Sequence, residues 1–222
     1  MAQTVTLTAT DGHQFSAYRA GPDHAERGLV VVQEIFGVNR HMREVCDDFA
    51  QQGYAVISPA LFDRTESGVE LGYTPDDMQR GIALKARVSD DAAMTDIAAA
   101  AASLGGMTLG IVGYCWGGTI AWFGATRSNL FDAAVGWYGG GIAATRMETP
   151  HCPVQLHFGE DDHGIPPDSV DSIRTAQPAA EVFTYAGAGH GFGCNERASY
   201  APAAATLAQQ RTLAFFTAHL RI

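Results

Sequence analysis

The sequence predicts an α/β fold in which a mostly parallel sheet carries helices on both faces. Short apolar runs alternate with helical segments along the 222 residues. One run, residues 28–32, is continuously apolar and rich in valine, which is typical of a parallel strand buried on both faces. Reactive side chains follow several of these runs, and sites in parallel sheets lie at the carboxyl ends of the strands. We expect a single domain over residues 1–222, without a large lid domain.

Turn and capping residues mark the boundaries of the predicted strands and helices in the N-terminal part of the chain. Asp11-Gly12 is a strong hairpin turn between two alternating runs. Asn39 is a suitable helix N-cap, and Gly53 a suitable stop. The predicted elements, in order, are strands over 4–8, 15–20 and 28–32, a helix from Asn39 to Gly53, a strand over 54–57 and a loop over 60–74.

The rest of the chain continues the alternation of helices and strands. Pro75 begins a long alanine-rich helical region that Gly105-Gly106 ends, with a break predicted at 88–91. The terminal helix is amphipathic, and its predicted buried side comprises Leu207, Leu213, Phe216 and Leu220. The remaining predicted elements are strands over 107–112, 133–138, 154–158 and 181–185 and helices over 119–125, 167–176 and 201–220.

Composition restricts the partners of this chain. The net charge is -10 and no cluster of Lys and Arg is present, which argues against nucleic acid and anionic membranes as partners. A small anionic substrate stays possible, because a single arginine can bind it. The N-terminal residues lack the pattern of a signal peptide, so we expect a cytoplasmic protein, a monomer or small homo-oligomer, with four free cysteines. No metal or cofactor is expected, since His157 and His163 lack partners at ligand spacing.

The segment Gly113-Tyr114-Cys115-Trp116-Gly117 has the pattern of a nucleophile elbow. An apolar run precedes it and a helical segment follows it, as the motif requires. The glycines permit the sharp turn, and a thiol at a helix N-terminus is favoured as the thiolate. The alternative is a buried structural cysteine in a glycine-rich turn.

Two residues further along the chain complete a possible triad with Cys115. Asp162 follows a predicted strand, and His190 lies between glycines in a loop that follows the last strand. A cysteine nucleophile needs a base, and the base needs an orienting carboxylate. The order nucleophile, acid, histidine is that of the α/β-hydrolases. The alternative for Asp162, or for its neighbour Asp161, is to cap the helix near Pro166.

Backbone amides are expected to form the oxyanion hole. One is that of Trp116, directly after the nucleophile, and the other is that of Ile35, after the strand over 28–32. Glu34 is unexpected there, because a carboxylate disfavours a developing negative charge. It is either a surface residue at a strand end or a proton acceptor for the thiol of Cys115.

The chain resembles the dienelactone hydrolase family of α/β-hydrolases (the carboxymethylenebutenolidases) over nearly its whole length. The matching segments are Gln33-Glu34-Ile35-Phe36-Gly37, Pro59-Ala60-Leu61-Phe62, residues 113–118, Gly136-Trp137-Tyr138-Gly139, residues 159–166 and Gly189-His190-x-Phe192. The resemblance implies an ester hydrolase that opens an enol-lactone through a thioester, with Cys115, Asp162 and His190 as the triad. It also implies that Glu34 helps to generate the thiolate when the substrate binds.

The resemblance also implies a substrate pocket, and here the sequence departs from the family. Phe36, Tyr138 and Phe192 are expected to line it, with Arg80 as an arginine that binds the substrate carboxylate. The family's second such arginine lies four residues after the histidine, where this chain has Cys194. The residue directly after the histidine is Gly191, where the family has serine. Arg87 and Arg197 are the two candidates for supplying the missing charge.

Two other functions compete with a lactone hydrolase that takes a small lactone or ester substrate. One is a general carboxylesterase or thioesterase on the same fold with an altered pocket. The other is a non-catalytic protein that binds a small acid. The filled positions of the triad argue against a binder, since binding alone needs no nucleophile, acid and base.

Overall fold

The computed structural model describes residues 2–22 and 24–221, and these form eight strands in one sheet. The strands are β1 (Gln3–Thr8), β2 (Gln14–Ala20), β3 (Arg27–Val32), β4 (Ala55–Pro59), β5 (Thr108–Tyr114), β6 (Ala133–Trp137), β7 (Val154–Gly159) and β8 (Glu181–Tyr185). The helices are α1 (Arg40–Gln51), α2 (Pro75–Lys85), α3 (Asp90–Ala102), α4 (Trp116–Thr126), α5 (Ile142–Thr145), α6 (Pro167–Ala176) and α7 (Pro202–His219).

The sheet is mostly parallel, as the sequence predicts. Its strand order is β1-β2-β4-β3-β5-β6-β7-β8. The hairpin partners β1 and β2 are antiparallel, β2 is antiparallel to β4, and every pairing from β4 to β8 is parallel. The strands β3 and β5, which precede Glu34 and Cys115, are neighbours near the middle of the sheet. Their carboxyl ends therefore lie side by side.

Helices cover both faces of the sheet, and two consecutive residues of β5 show it. Gly110 faces α7: a methyl group at this position would lie 2.8 Å from the ring of Phe216. Ile111 points to the opposite face, where its side chain packs on Gly124 of α4. Successive side chains of a strand point to opposite faces, so α7 and α4 lie on different sides.

Polar side chains cap the N-termini of α1, α2 and α3, and one of them is Asn39, the N-cap predicted from the sequence. Asn39 accepts a hydrogen bond from the Met42 amide at the start of α1, 3.2 Å. Thr74 and Asp77 form a reciprocal capping box at the start of α2. Ser89 caps α3, so the predicted break at 88–91 is confirmed as the junction between α2 and α3.

Some details of the prediction are wrong. The loop predicted over 60–74 contains a short 3-10 helix, Leu61–Arg64, and α4 begins at Trp116 instead of residue 119. Leu207 was expected on the buried side of the terminal helix but is 42% exposed. The buried residues of α7 recur with helical spacing on a face that excludes Leu207: Ala208, Thr212, Phe215 and Phe216.

Two further observations concern membrane-spanning helices and a lid domain. No helix among the described residues is long and apolar enough to cross a membrane. The described segments between strands and helices form no separate lid domain. A single domain over residues 1–222 stays a prediction.

Candidate active site

Cys115 lies in a strained turn between β5 and α4. Its φ is 55° and its ψ is -116°, a combination that L-residues rarely adopt. The turn is closed by backbone contacts that leave no room for side chains. A Cβ at Gly113 would lie 1.9 Å from the carbonyl oxygen of Gly117, and one at Gly117 would lie 2.3 Å from that of Val32. The strand, sharp turn and helix predicted for this segment are all present.

Cys115, His190 and Asp162 form a continuous hydrogen-bonded chain. His190 Nδ1 donates to Asp162 Oδ2 over 2.7 Å. His190 Nε2 lies 3.2 Å from Cys115 Sγ, within hydrogen-bond distance for sulfur. The three residues come from the ends of β5, β7 and β8, which the parallel sheet brings together at one edge. This arrangement can transfer a proton from the thiol to the imidazole.

Electrostatics favours a protonated imidazole between the two other side chains. Burial acts to lower the pKa of His190, but the hydrogen bonds and charges of Asp162 and Cys115 outweigh it and raise the pKa to about 10. Burial acts to raise the pKa of Asp162, whereas the His190 hydrogen bond and the amides of Gly164 and Ile165 lower it overall. Asp162 is 2% exposed and also accepts from the Gly164 amide, 2.9 Å. It does not cap α6, whose N-cap is Pro166.

Glu34 is a buried residue and not a surface one, because its side chain is fully inaccessible to solvent. Its Oε1 lies 3.4 Å from Arg197 Nη1, and its Oε2 has no hydrogen-bond partner. Arg197 also lies over the ring of Phe36, 5.6 Å from the centroid. A buried carboxylate with one free oxygen is able to accept a proton.

Arg197 reaches this position because Gly191 has no side chain. A Cβ on Gly191 would lie 2.3 Å from Arg197 Nη1 and 2.6 Å from Cζ. The guanidinium is therefore seated against the residue that follows His190. Its side chain is only 13% exposed.

The other two arginines named by the sequence lie in more exposed positions. Arg80 forms an ion pair with Glu66, and its side chain is 53% exposed. Arg87 lies in the exposed turn between α2 and α3. Cys194, which takes the place of the family arginine, is fully buried.

The amides predicted to form the oxyanion hole are those of Ile35, which follows β3, and of Trp116, which follows Cys115. Among the described residues, neither amide donates a hydrogen bond to another group of the chain. Gln33 holds the segment that contains Ile35: its Oε1 accepts from the Leu61 amide over 3.0 Å and its Nε2 donates to the Glu34 carbonyl over 3.1 Å. The sequence alone does not reveal this role of Gln33, because Gln33 and Leu61 are 28 positions apart.

The aromatic residues expected in the pocket are close to the histidine but deeply buried. The ring of Tyr138 meets His190 edge-on, with centroids 5.2 Å apart, and Phe192 packs on Tyr138 at 5.4 Å. Phe36, Tyr138 and Phe192 are each at most 1% exposed. Within the described part of the chain, Tyr138 Oη is buried without a hydrogen-bond partner, and so is Nε1 of Trp116, whose ring stacks on Phe62.

Known proteins resemble this chain along most of its length. The sequence profile of the dienelactone hydrolase family matches residues 15–220. The chain belongs to the dienelactone hydrolase family. It is 34% identical over 228 residues to the carboxymethylenebutenolidases of Pseudomonas putida and Pseudomonas knackmussii, covering 97% of this chain and 96% of theirs.

A solved structure of this family also superposes on the chain. It is a Klebsiella pneumoniae protein, provisionally named a dienelactone hydrolase, with a TM-score of 0.82 and 32% identity over 97% of this chain and 99% of that one. The fold is also shared with a dienelactone hydrolase-like promiscuous phosphotriesterase from metagenomic libraries, with a TM-score of 0.77 at 18% identity. The α/β-hydrolase fold expected from the sequence is thus confirmed.

Proposed function

We propose that this protein is a cysteine hydrolase that opens a small enol-lactone carrying a carboxylate. The observation that carries the proposal is the hydrogen-bonded chain from Cys115 through His190 to Asp162 at a strained elbow. Membership of the dienelactone hydrolase family supports the reaction class. The names of the Pseudomonas relatives support the lactone substrate.

In the first half of the reaction, the thiol of Cys115 becomes acylated. Glu34 accepts its proton, and the thiolate attacks the lactone carbonyl carbon to form a C–S bond. The amides of Ile35 and Trp116 donate to the oxyanion. When the tetrahedral intermediate collapses, the ring C–O bond breaks, and the enolate that leaves takes the proton of His190 Nε2 to form the ketone.

In the second half, water releases the acid. His190 accepts a proton from water, which attacks the thioester carbonyl, and the C–S bond then breaks. The sulfur leaves as the thiolate, and the product is a ring-opened dicarboxylate. A dienelactone would give maleylacetate by this route. Acylation removes the Cys115 charge and hydrogen bond that raise the pKa of His190, so the imidazole stays neutral more readily and can accept a proton from water.

Arg197 is proposed to bind the carboxylate of the substrate. It is the arginine that lies beside Glu34 and against Gly191, whereas Arg80 is on the exposed side of α2 and Arg87 in the exposed turn that follows this helix. A substrate carboxylate at Arg197 competes with Glu34 for the guanidinium. Glu34 is then free to accept the thiol proton, which supports the role that the family resemblance gives it.

Phe36, Tyr138 and Phe192 are proposed to provide the apolar wall beside the reacting carbonyl. Their rings adjoin Arg197 and His190, and the unpartnered Tyr138 Oη offers a hydrogen bond to a polar substrate atom. Arg80 is a less suitable contact, because its guanidinium is paired with Glu66.

A general carboxylesterase or thioesterase is the second candidate. The observation that favours it is Cys194, which is fully buried at the position where the family resemblance expects an arginine. Such an enzyme would share the triad and differ only in the groups around the acyl part of the substrate.

Turnover of a dienelactone and of an aryl acetate tests the proposal. We expect the native protein to hydrolyse both and Cys115→Ala to hydrolyse neither, because the C–S bond cannot form. Ester turnover without dienelactone turnover supports the general esterase instead. Absence of Cys115-dependent turnover, together with retained binding of a small acid by Cys115→Ala, would show a binder and refute the proposal.

A further inference from the structure

The described contacts of Ile35 show an unusual approach between two backbones. A Cβ on Gly81, in the second turn of α2, would lie 2.1 Å from the carbonyl oxygen of Ile35 and 3.3 Å from its Cβ. The first distance is far below any real contact of a Cβ atom, so only glycine fits. The helix backbone therefore rests directly on the residue whose amide is proposed to bind the oxyanion.

Neighbouring peptide groups in this segment have other partners. The Glu34 carbonyl accepts from the Gln33 side chain over 3.1 Å, and the Phe36 carbonyl accepts from the Leu71 amide over 2.9 Å. Between them, the Ile35 carbonyl accepts no hydrogen bond from the described residues. Its position is limited by contact with Gly81 instead.

A glycine inside α2 also calls for a physical reason. Glycine is among the poorest helix formers, and helix propensity by itself favours alanine at this position. The helix is otherwise regular, with a capping box and a proline at its start. The buried residues of α2 are Gly81 and Leu84. Gly81 is thus one of the two buried residues through which this helix packs on the rest of the protein.

We propose that Gly81 is a positioning residue for the oxyanion hole. By allowing α2 to rest on the carbonyl and close to the Cβ of Ile35, it restricts the backbone torsions of this residue. The Ile35 amide belongs to the preceding peptide group, whose carbonyl Gln33 holds, and the restricted torsions keep that amide directed at the oxyanion. This inference rests on the proposed function, because it assigns Ile35 to the stabilisation of the oxyanion. It predicts that the Gly81 contact affects the carbonyl chemistry and leaves the thiol reactivity unchanged.

The test is Gly81→Ala with two substrates of different chemistry. Hydrolysis of an aryl acetate passes through an oxyanion. Alkylation by iodoacetamide forms an S–C bond and expels iodide without one. We expect kcat for the ester to fall roughly 10- to 100-fold with KM little changed, since outright loss of one oxyanion donor costs about 10²–10³-fold. The rate of Cys115 alkylation and its pH profile should match those of the native protein.

A control variant separates this effect from a weakened helix. Ala83 is exposed on the same helix, and Ala83→Gly lowers helix propensity without approaching Ile35. This variant should keep the native kcat. If Ala83→Gly and Gly81→Ala lose kcat equally, the contact with Ile35 is not the cause and the inference is wrong.

The remaining outcomes distinguish the two proposals. If the native protein hydrolyses the ester through Cys115 and Gly81→Ala has the same kcat, the role of Gly81 is refuted and the proposed function stands. If the native protein shows no turnover that depends on Cys115, the proposed function is refuted and this inference with it. Should Gly81→Ala not fold, Leu84→Ala removes the other buried residue of α2 and lets the helix move off Ile35. A native kcat in that variant would also refute the inference.

Discussion

The pairing of Gly191 with Arg197 leads to a sharp prediction for substrate selection. In Gly191→Ala, the new methyl group would lie 2.3 Å from Arg197 Nη1, so the guanidinium must leave its place. Because the clash involves the end of a flexible side chain, the fold can accommodate it. The φ of Gly191 is 75°, and holding alanine there costs about 1–2 kcal/mol of stability.

The expected kinetic effect depends on the charge of the substrate. A hydrogen bond to a charged group contributes about 1.5–3 kcal/mol, and each 1.4 kcal/mol is about tenfold. Moving Arg197 should therefore raise KM for a carboxylate-bearing lactone roughly 10- to 150-fold. For the methyl ester of the same compound, KM and kcat should change little, because no carboxylate needs the guanidinium.

Steady-state kinetics on this pair of substrates is the assay. Arg197→Gln should reproduce the loss that Gly191→Ala shows, and Arg80→Gln should behave as the native protein. A fall in kcat for the neutral ester as well would mean that the adjacent His190 has moved. Native KM values for the carboxylate substrate in Arg197→Gln would refute the assignment of Arg197.

Two further predictions concern the pKa of His190 and the stability of the core. In Asp162→Asn, the pKa of His190 should fall from about 10 toward its ordinary value near 6.5, because the charge and hydrogen bond of Asp162 raise it; NMR titration of the ring measures this. Thr212→Val keeps the shape of a fully buried side chain but removes the acceptor of the Trp137 indole N–H, 3.2 Å away. It should lower the free energy of unfolding in urea by about 1–3 kcal/mol.

Each of these has an outcome that would contradict it. An unchanged His190 titration in the Asp162 variant would mean that another group raises its pKa. For the core, Thr217→Val is a matched control, since Thr217 is exposed on the same helix. If both threonine variants change the unfolding midpoint equally, the buried hydrogen bond of Thr212 does not contribute to the free energy of unfolding.

The sequence by itself determined the features that depend on local chemistry. The helix over 167–176 and the strand over 181–185 have the predicted bounds, because prolines and apolar periodicity mark them. The positions of Cys115, Asp162 and His190 after their strands follow from the alternation of strands and helices, since a parallel sheet places the carboxyl ends of its strands at one edge. Leu207 was misassigned because hydrophobicity alone does not fix which face of a helix meets the sheet.

Contacts between distant segments were decided by the tertiary structure alone. Glu34 and Arg197 are 163 positions apart, and no spacing rule connects them. The place of Arg197 beside Glu34 depends on the space that Gly191 leaves, and that space exists only once the histidine loop has folded. The contact of Gly81 with Ile35 is equally invisible in the sequence, where a glycine within a helix is merely unfavourable. Local sequence therefore determined the reactive groups, and packing between segments decided what surrounds them.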